Sequence, residues 1–255
     1  MTAVLPDLTV TEAEVRAALG TVVDPELDEP ITDVGFVRSV SVQGGTVEVH
    51  LRLPTSFCAP NFAWLMVSDA HDAVSAVPGV GSVVVELDDH HDSDLINRGM
   101  AAGLGYRGTF GHEAEDSLDE LRATFQRKAH TAAMERAVTA LLRTDPTVDV
   151  AALTLGDLPA GEHTTDALLR RRATLGLPVD DGAPVLVHDD GTRPDPAQAE
   201  MVLRRARSVR ISVDGNAHFC RGLLTTRYPG SEADQTPRPE DRVLLPLTVT
   251  KGTHP

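Results

Sequence analysis

The chain has 255 residues, of which 41% are hydrophobic, and a formal net charge of −15. A chain of this length can bury one large core or two modest ones. The acidity is concentrated in residues 1–105, where 4 Lys and Arg face 16 Asp and Glu, a balance of −12. Phosphate groups and anionic lipids are bound by cations, so we expect neither a nucleic acid nor a membrane as a partner.

The two cysteines are too few to form a disulfide framework in a chain of this size, which indicates a reducing compartment. The stretch from Met1 to Pro6 lacks the basic and apolar runs of a secretory signal. No apolar run approaches the length needed to span a bilayer. We therefore expect a cytoplasmic protein.

Residues 1–105 predict a small α+β domain with the element order αββαβα and a three-stranded sheet. Some segments repeat apolar residues at helical spacing, and others alternate apolar with polar residues as strands do. Thr11 and Glu14 have the spacing of a capping box, which starts the first helix. The further predicted elements are strands at Val34–Val42 and Thr46–Leu53 around a Gly44-Gly45 turn, a helix over 60–77, a strand at Ser82–Leu87 and a helix over 94–104.

Residues 106–255 form an extension to which we assign no known fold. Its strongest signal is a long helix over 117–143, and leucine and arginine mark shorter helices near 164–175 and 195–206. Two strand-like runs, Ser208–Val213 and Ala217–Leu224, flank Asp214-Gly215, which predicts a β-hairpin near 208–224. A last strand is predicted at 242–250. The fold class is thus α+β, with a helix-rich region after the small sheet domain.

Cys58 is the candidate functional residue of the first region. It follows the strand-like run that ends at Leu53, and Pro60 suits the first turn of a helix. Free backbone N–H groups and the positive end of a helix dipole favour a thiolate at such a junction, and the thiolate binds metals or attacks electrophiles. The alternative is an inert cysteine that fills space like a small apolar side chain.

Four motifs make residues 10–105 resemble the metal–sulfur cluster assembly factor family, which includes the PaaD-like and SufT-like proteins. The motifs, in chain order, are Asp24-Pro25-Glu26, Asp33-Val34-Gly35-Phe36-Val37, Thr55-Ser56-Phe57-Cys58-Ala59-Pro60 and Pro78-Gly79-Val80. The resemblance implies a maturation factor rather than an enzyme, a transient iron–sulfur cluster or iron as its cofactor, and a client metalloprotein and other assembly proteins as partners. An extended member of this kind resembles the accessory proteins of multicomponent di-iron monooxygenases.

The same resemblance implies a site around Cys58. Its family counterparts place the reactive cysteine near an acidic turn, an acidic strand start and a loop threonine, which are here Asp24 and Glu26, Asp33, and Thr55. Asp24 also suits a purely structural role in the turn, and the Thr55 hydroxyl a hydrogen bond to its own loop. The sequence departs from the family where Ala59 separates the cysteine from the proline.

A second candidate group lies in the extension. If Ala217–Leu224 is a strand, His218 and Cys220 point to the same face and form a possible metal-binding pair. Cys220 would form a site shared with Cys58 if the chain folds back. A single thiolate is too few for an iron–sulfur cluster, which takes four cysteines as a rule, so we interpret Cys58 as a handoff ligand.

His90 and His91 are a further possible metal site because they lie among aspartates, but an exposed acidic loop is the favoured interpretation, since no regular ligand spacing indicates a metal. Two other functions stay open at this point. One is a structural partner of an oxygenase complex, in which the cysteine is inert and the helix over 117–143 builds an interface or a homodimer. The other is a metal-binding protein that uses His218 and Cys220.

Overall fold

The computed structural model describes residues 9–111 and 118–237, and this part of the chain forms two hydrophobic cores. The strand predicted at 242–250 lies outside the described residues. The elements are α1 Glu12–Leu19, β1 Val23–Asp24, β2 Glu29–Pro30, β3 Val37–Gln43, β4 Thr46–Arg52, α2 Pro60–Ser75, β5 Ser82–Asp88, α3 Ser93–Ala101, α4 Gly105–Phe110, α5 Leu118–Thr144, α6 His163–Thr174 and α7 Ala199–Arg227.

The main sheet has the strand order β3-β4-β5, with β4 antiparallel to β3 and parallel to β5. Alternate residues of β4, namely Val47, Val49 and Leu51, are fully buried, as expected for a strand with one face on a core. Gly44 and Gly45 turn the β3–β4 hairpin with positive φ angles of 56° and 84°. The predicted αββαβα order and the three-stranded sheet are confirmed by α1, β3, β4, α2, β5 and α3.

A second, two-stranded sheet of β1 and β2 was not predicted, and it shapes the acidic turn. The Asp24 carboxylate accepts the backbone N–H groups of Glu26 and Leu27 at 2.9 and 2.8 Å. Asp28 closes the turn with φ +55°, a conformation that costs energy in a residue with a Cβ atom. The turn is therefore held by its own first carboxylate.

The extension is helical, with α5 packed against both α6 and α7. The predicted helix over 117–143 is confirmed by α5. Half of its buried residues are alanines, including Ala132, Ala133 and Ala137, so the neighbouring helices can approach closely. Within residues 9–111 and 118–237, no helix combines the length and the apolar character needed to cross a membrane.

The predicted hairpin near 208–224 is wrong, because this segment lies inside the 29-residue helix α7. Asp214-Gly215 suggested a turn, but Asp214 instead accepts hydrogen bonds from Arg136 at 2.6 Å and from Arg210, one helical turn earlier, at 2.8 Å. Gly215 lies on the exposed side of the helix, where its low helix propensity costs only about 1 kcal/mol. Ion pairs and buried apolar residues outweigh these local signals.

Helix α7 contributes to both cores. Near its start, Leu203 and Ala206 are buried with α5 and α6, whereas Ala217 and Leu224 are buried in the core of the first region. The chain after the helix also returns to the first region, where the Thr236 N–H donates to the Asp33 carbonyl at 2.8 Å. The C-terminal half of α7 thus lies against the sheet domain, on the side where Cys58 is found.

Candidate functional site

Cys58 lies half-buried in the loop between β4 and α2, directly before the first turn of α2. Its Sγ is 3.4 Å from the Thr55 hydroxyl oxygen. The same hydroxyl accepts the Phe57 N–H at 3.2 Å, which leaves its own hydrogen available to the sulfur. Thr55 therefore both shapes the loop, as predicted, and contacts the thiol.

His90 fixes the backbone of the cysteine loop rather than offering a metal ligand. Its Nδ1 accepts the Asp92 N–H at 3.1 Å, so the ring proton lies on Nε2, which donates to the Cys58 carbonyl at 2.8 Å. Both ring nitrogens are engaged, and the side chain is buried. The neighbouring His91 instead stacks near the exposed ring of Phe57, with centroids 5.8 Å apart. The interpretation of this loop as a metal site is therefore not supported.

Cys220 reaches the same site from α7. Burial raises the pKa of its thiol to about 12, and the charges of Asp24, Cys58 and Glu26 contribute to that rise. The two thiols and the two carboxylates of the acidic turn thus lie within electrostatic range of one another. Asp24 is itself buried, and the loss of hydration raises the pKa of its carboxyl to about 7.

The spacing of contacts along α7 explains this placement. Asn216, Cys220 and Arg227 are separated by four and seven residues, so they lie on one face of the helix. Asn216 donates to the Glu26 carboxylate at 3.1 Å, and Arg227 donates to the Leu53 carbonyl at 3.1 Å. Cys220 lies between these two contacts, and so faces the gap between the acidic turn and the cysteine loop.

His218 does not join this group. The expectation that His218 and Cys220 share a face assumed a strand, and two residues along a helix are about 200° apart. His218 is exposed and lines a surface cavity with Glu135, Arg136 and Arg210. The pairing of His218 with Cys220 is therefore wrong, whereas the proximity of Cys220 to Cys58 follows from the helix.

Among the described residues, the hydrogen bonds of Asp33 go to partners such as Thr32 and Arg221 and not to either thiol. Its carboxylate accepts the Thr32 hydroxyl at 3.2 Å, and its carbonyl accepts Arg221 Nη1 at 2.7 Å. Asp33 thus anchors α7 through its backbone, while Asp24, Glu26 and Thr55 are the predicted residues that the fold brings to the cysteines. Across the described ranges, no three His, Cys, Asp or Glu side chains are grouped so that they could hold a metal ion.

Sequence reasoning missed the residues that hold α7 on the first region. Arg221 pairs with the buried Glu29, and Arg227 donates to the Ser56 hydroxyl at 2.8 Å and to the Asp89 carbonyl. No local pattern marks these arginines, because their partners are more than 130 residues away.

The chain is similar to proteins of iron–sulfur cluster metabolism over the region that carries Cys58. Residues 12–86 match the family model described as iron-sulfur cluster assembly protein. The iron-sulfur cluster carrier protein of Mycobacterium tuberculosis is 39% identical over 77 residues, which are 30% of this chain and 20% of the relative. The carrier protein of a Synechocystis strain is 35% identical over 78 residues, 31% of this chain and 22% of the relative.

An uncharacterised protein of Methanocaldococcus jannaschii is 35% identical over 89 residues, which are 34% of this chain but 92% of that relative. The chain thus spans nearly all of this small protein and about a fifth of the two carrier proteins. No solved structure is significantly similar to the chain. The family motifs, the family match over residues 12–86 and these relatives lead to one conclusion: the chain belongs to the iron–sulfur cluster assembly protein family.

Proposed function

We propose that this protein assembles an iron–sulfur cluster or delivers one to a client protein, with Cys58 as the ligand that passes the cluster on. The observation that carries the proposal is the position of the Cys58 thiol, half-buried before α2 and within electrostatic range of a second thiol on α7. Family membership and the similarity to iron-sulfur cluster carrier proteins support the same role.

The scarcity of ligands fits transfer better than storage. Clusters are bound by four cysteines as a rule, and this chain has two. Cys58 and Cys220 would therefore hold the cluster from one side, and the client, another assembly protein or a second copy would supply the remaining ligands. A weak, shared site releases its cargo readily when a client offers a complete set of ligands.

Asp24 is proposed as the group that takes up a proton when the cluster binds. Iron binds the thiolate, so the Cys220 thiol has to lose its proton on binding. Burial places the pKa of Asp24 at about 7, so its carboxyl can accept that proton near neutral pH. Glu26 would orient α7 through its hydrogen bond with Asn216.

The client that we propose is a metalloprotein, with a multicomponent di-iron monooxygenase as the specific candidate that the sequence resemblance favours. The exposed Phe57 ring, 81% accessible and adjacent to Cys58, gives the cysteine loop an apolar contact for such a client. Aromatic side chains in this setting often anchor protein interfaces.

The test is transfer of a reconstituted cluster from anaerobic protein to an apo-ferredoxin, followed by circular dichroism in the visible range. Cys58→Ser should slow transfer by about tenfold or more, because a direct ligand matters at least as much as the groups that orient it. Cys220→Ser should give a smaller loss. His218→Ala is the matched control, since His218 lies on the same helix but faces away. Transfer by Cys58→Ser at the wild-type rate would refute the proposal.

A further inference from the structure

Arg227, the last residue of α7, bonds to two separate segments of the cysteine site. Its guanidinium donates to the Leu53 carbonyl at 3.1 Å and to the Ser56 hydroxyl at 2.8 Å, both in the loop that leads to Cys58. It also donates to the carbonyl of Asp89, which follows β5. One side chain thus ties the cysteine loop to the end of the neighbouring strand.

These two segments converge on the cysteine. The His91 N–H donates to the Ser56 carbonyl at 2.9 Å, and His90 donates to the Cys58 carbonyl at 2.8 Å. Asp89 precedes both histidines and has φ +54°, a conformation that persists in a non-glycine residue only when its surroundings enforce it. The bond from Arg227 to the Asp89 carbonyl supplies part of that enforcement.

Arg227 is itself held in place. Its guanidinium lies over the ring of Tyr228, 5.2 Å from the centroid, and the Tyr228 hydroxyl donates to the Asp89 carboxylate at 3.1 Å. Arg52 lies 5.4 Å from the same ring and pairs with Asp234 at 2.5 Å. The end of α7 is therefore a rigid support rather than a frayed terminus.

We infer that Arg227 is a positioning residue for Cys58: it holds the loop so that the thiol keeps its contact with Thr55 and its place before α2. The described hydrogen bonds of Arg227 go to the loop and to Asp89 and not to the sulfur, so it acts through the loop. The inference rests on the proposed function, in which Cys58 passes on a cluster. It assigns to the extension a role in setting the geometry of the family's own cysteine.

The experiment measures alkylation of Cys58 by a bulky iodoacetamide in a Cys220→Ser background, where a single thiol reacts. Arg227→Gln should accelerate alkylation by about tenfold, the change in loop opening expected when a charge-assisted hydrogen bond is lost. Arg227→Lys keeps the charge but loses the forked geometry, so it should restore part of the wild-type protection. Ser56→Ala removes one of the three acceptors and should give a smaller acceleration.

Arg204→Gln is the matched control, because Arg204 is an exposed arginine on the same helix. Unchanged alkylation in Arg227→Gln, or equal acceleration in Arg204→Gln, overturns the inference. If Arg227→Gln lowers the melting temperature, the Ser56→Ala variant becomes the test of the inference, because this substitution leaves α7 intact. Unchanged alkylation in Ser56→Ala then overturns the inference. Alkylation needs no cluster, so this result is independent of the transfer assay that tests the proposed function.

Discussion

The two hydrophobic cores of this protein differ in the kinds of side chain that they bury. The core of the first region consists of large aliphatic and aromatic side chains, such as Phe36, Leu51 and Trp64, around one sheet. The core of the extension contains more alanine, and fully buried charged groups lie within its helices, among them Glu135 and Arg172. The comparison shows that one chain can combine a core of large apolar side chains around a sheet with a helical core in which fully buried charged groups require partners of their own.

The largest effect is expected at Glu135, which has no exposed surface. Its carboxylate accepts Arg207 Nε at 3.0 Å and Arg210 Nε at 2.5 Å. Glu135→Ala should lower the free energy of unfolding by about 3–5 kcal/mol, because the arginines lose their partner in a partly buried place. Chemical denaturation measures this loss.

Glu200→Ala is the control for Glu135, because the Glu200 side chain is 92% exposed. Its removal should change the free energy of unfolding by less than about 0.5 kcal/mol. A loss below about 1 kcal/mol in Glu135→Ala would remove the contrast between the two cores.

An intermediate effect is expected from His130 in the extension. Burial and the neighbouring Arg172 and Arg171 lower the pKa of this histidine to about 4. Because the unfolded chain binds a proton near pH 6.5 and the folded chain does not, stability falls as the pH decreases from 6.5 to 4. The loss at pH 5 is about 2 kcal/mol, which His130→Leu should abolish in a denaturation series over pH. An unchanged pH dependence in that variant would contradict the assignment.

The first region should respond in the opposite direction. The pKa of Asp24 is raised to about 7, so the folded chain binds a proton that the unfolded chain, with a pKa near 3.8, does not. Its contribution to stability therefore increases as the pH falls from 7 towards 4. Asp24→Asn keeps the acceptor for Glu26 and Leu27 but should remove this increase. A variant with the wild-type pH profile would show that Asp24 does not titrate in this range.

The smallest effect is expected at Gly215, where the sequence suggested a turn and the structure has a helix. A Cβ atom at this position meets nothing within 4 Å. Gly215→Ala should therefore stabilise the protein by about 0.5–1 kcal/mol, through the higher helix propensity of alanine. Thermal unfolding measures the change. A destabilised Gly215→Ala variant would argue for the predicted hairpin at 208–224 and against the helix.

The difference between the regions explains what could be predicted from the sequence. Alternation in β4 and the glycine turn before it are local signals, so the sheet and the position of Cys58 were predictable. In α7, Asp214-Gly215 is a local turn signal that tertiary ion pairs with Arg136 override. The position of Cys220 depends on a helix that runs over the whole segment. The sequence predicted a strand there, and this error alone placed His218 on the same face as Cys220.

Helix α7 has a consequence for the order in which the protein is made. The family match ends at residue 86, yet the core that this segment begins is closed by Ala217 and Leu224. Domains generally fold as they leave the ribosome, N-terminal parts first. Here more than a hundred residues after residue 86 have to be synthesised before the last side chains of this core, Ala217 and Leu224, can pack against the sheet. Arg227 completes the cysteine site, so Cys58 has its full surroundings only after the chain has been synthesised beyond residue 227.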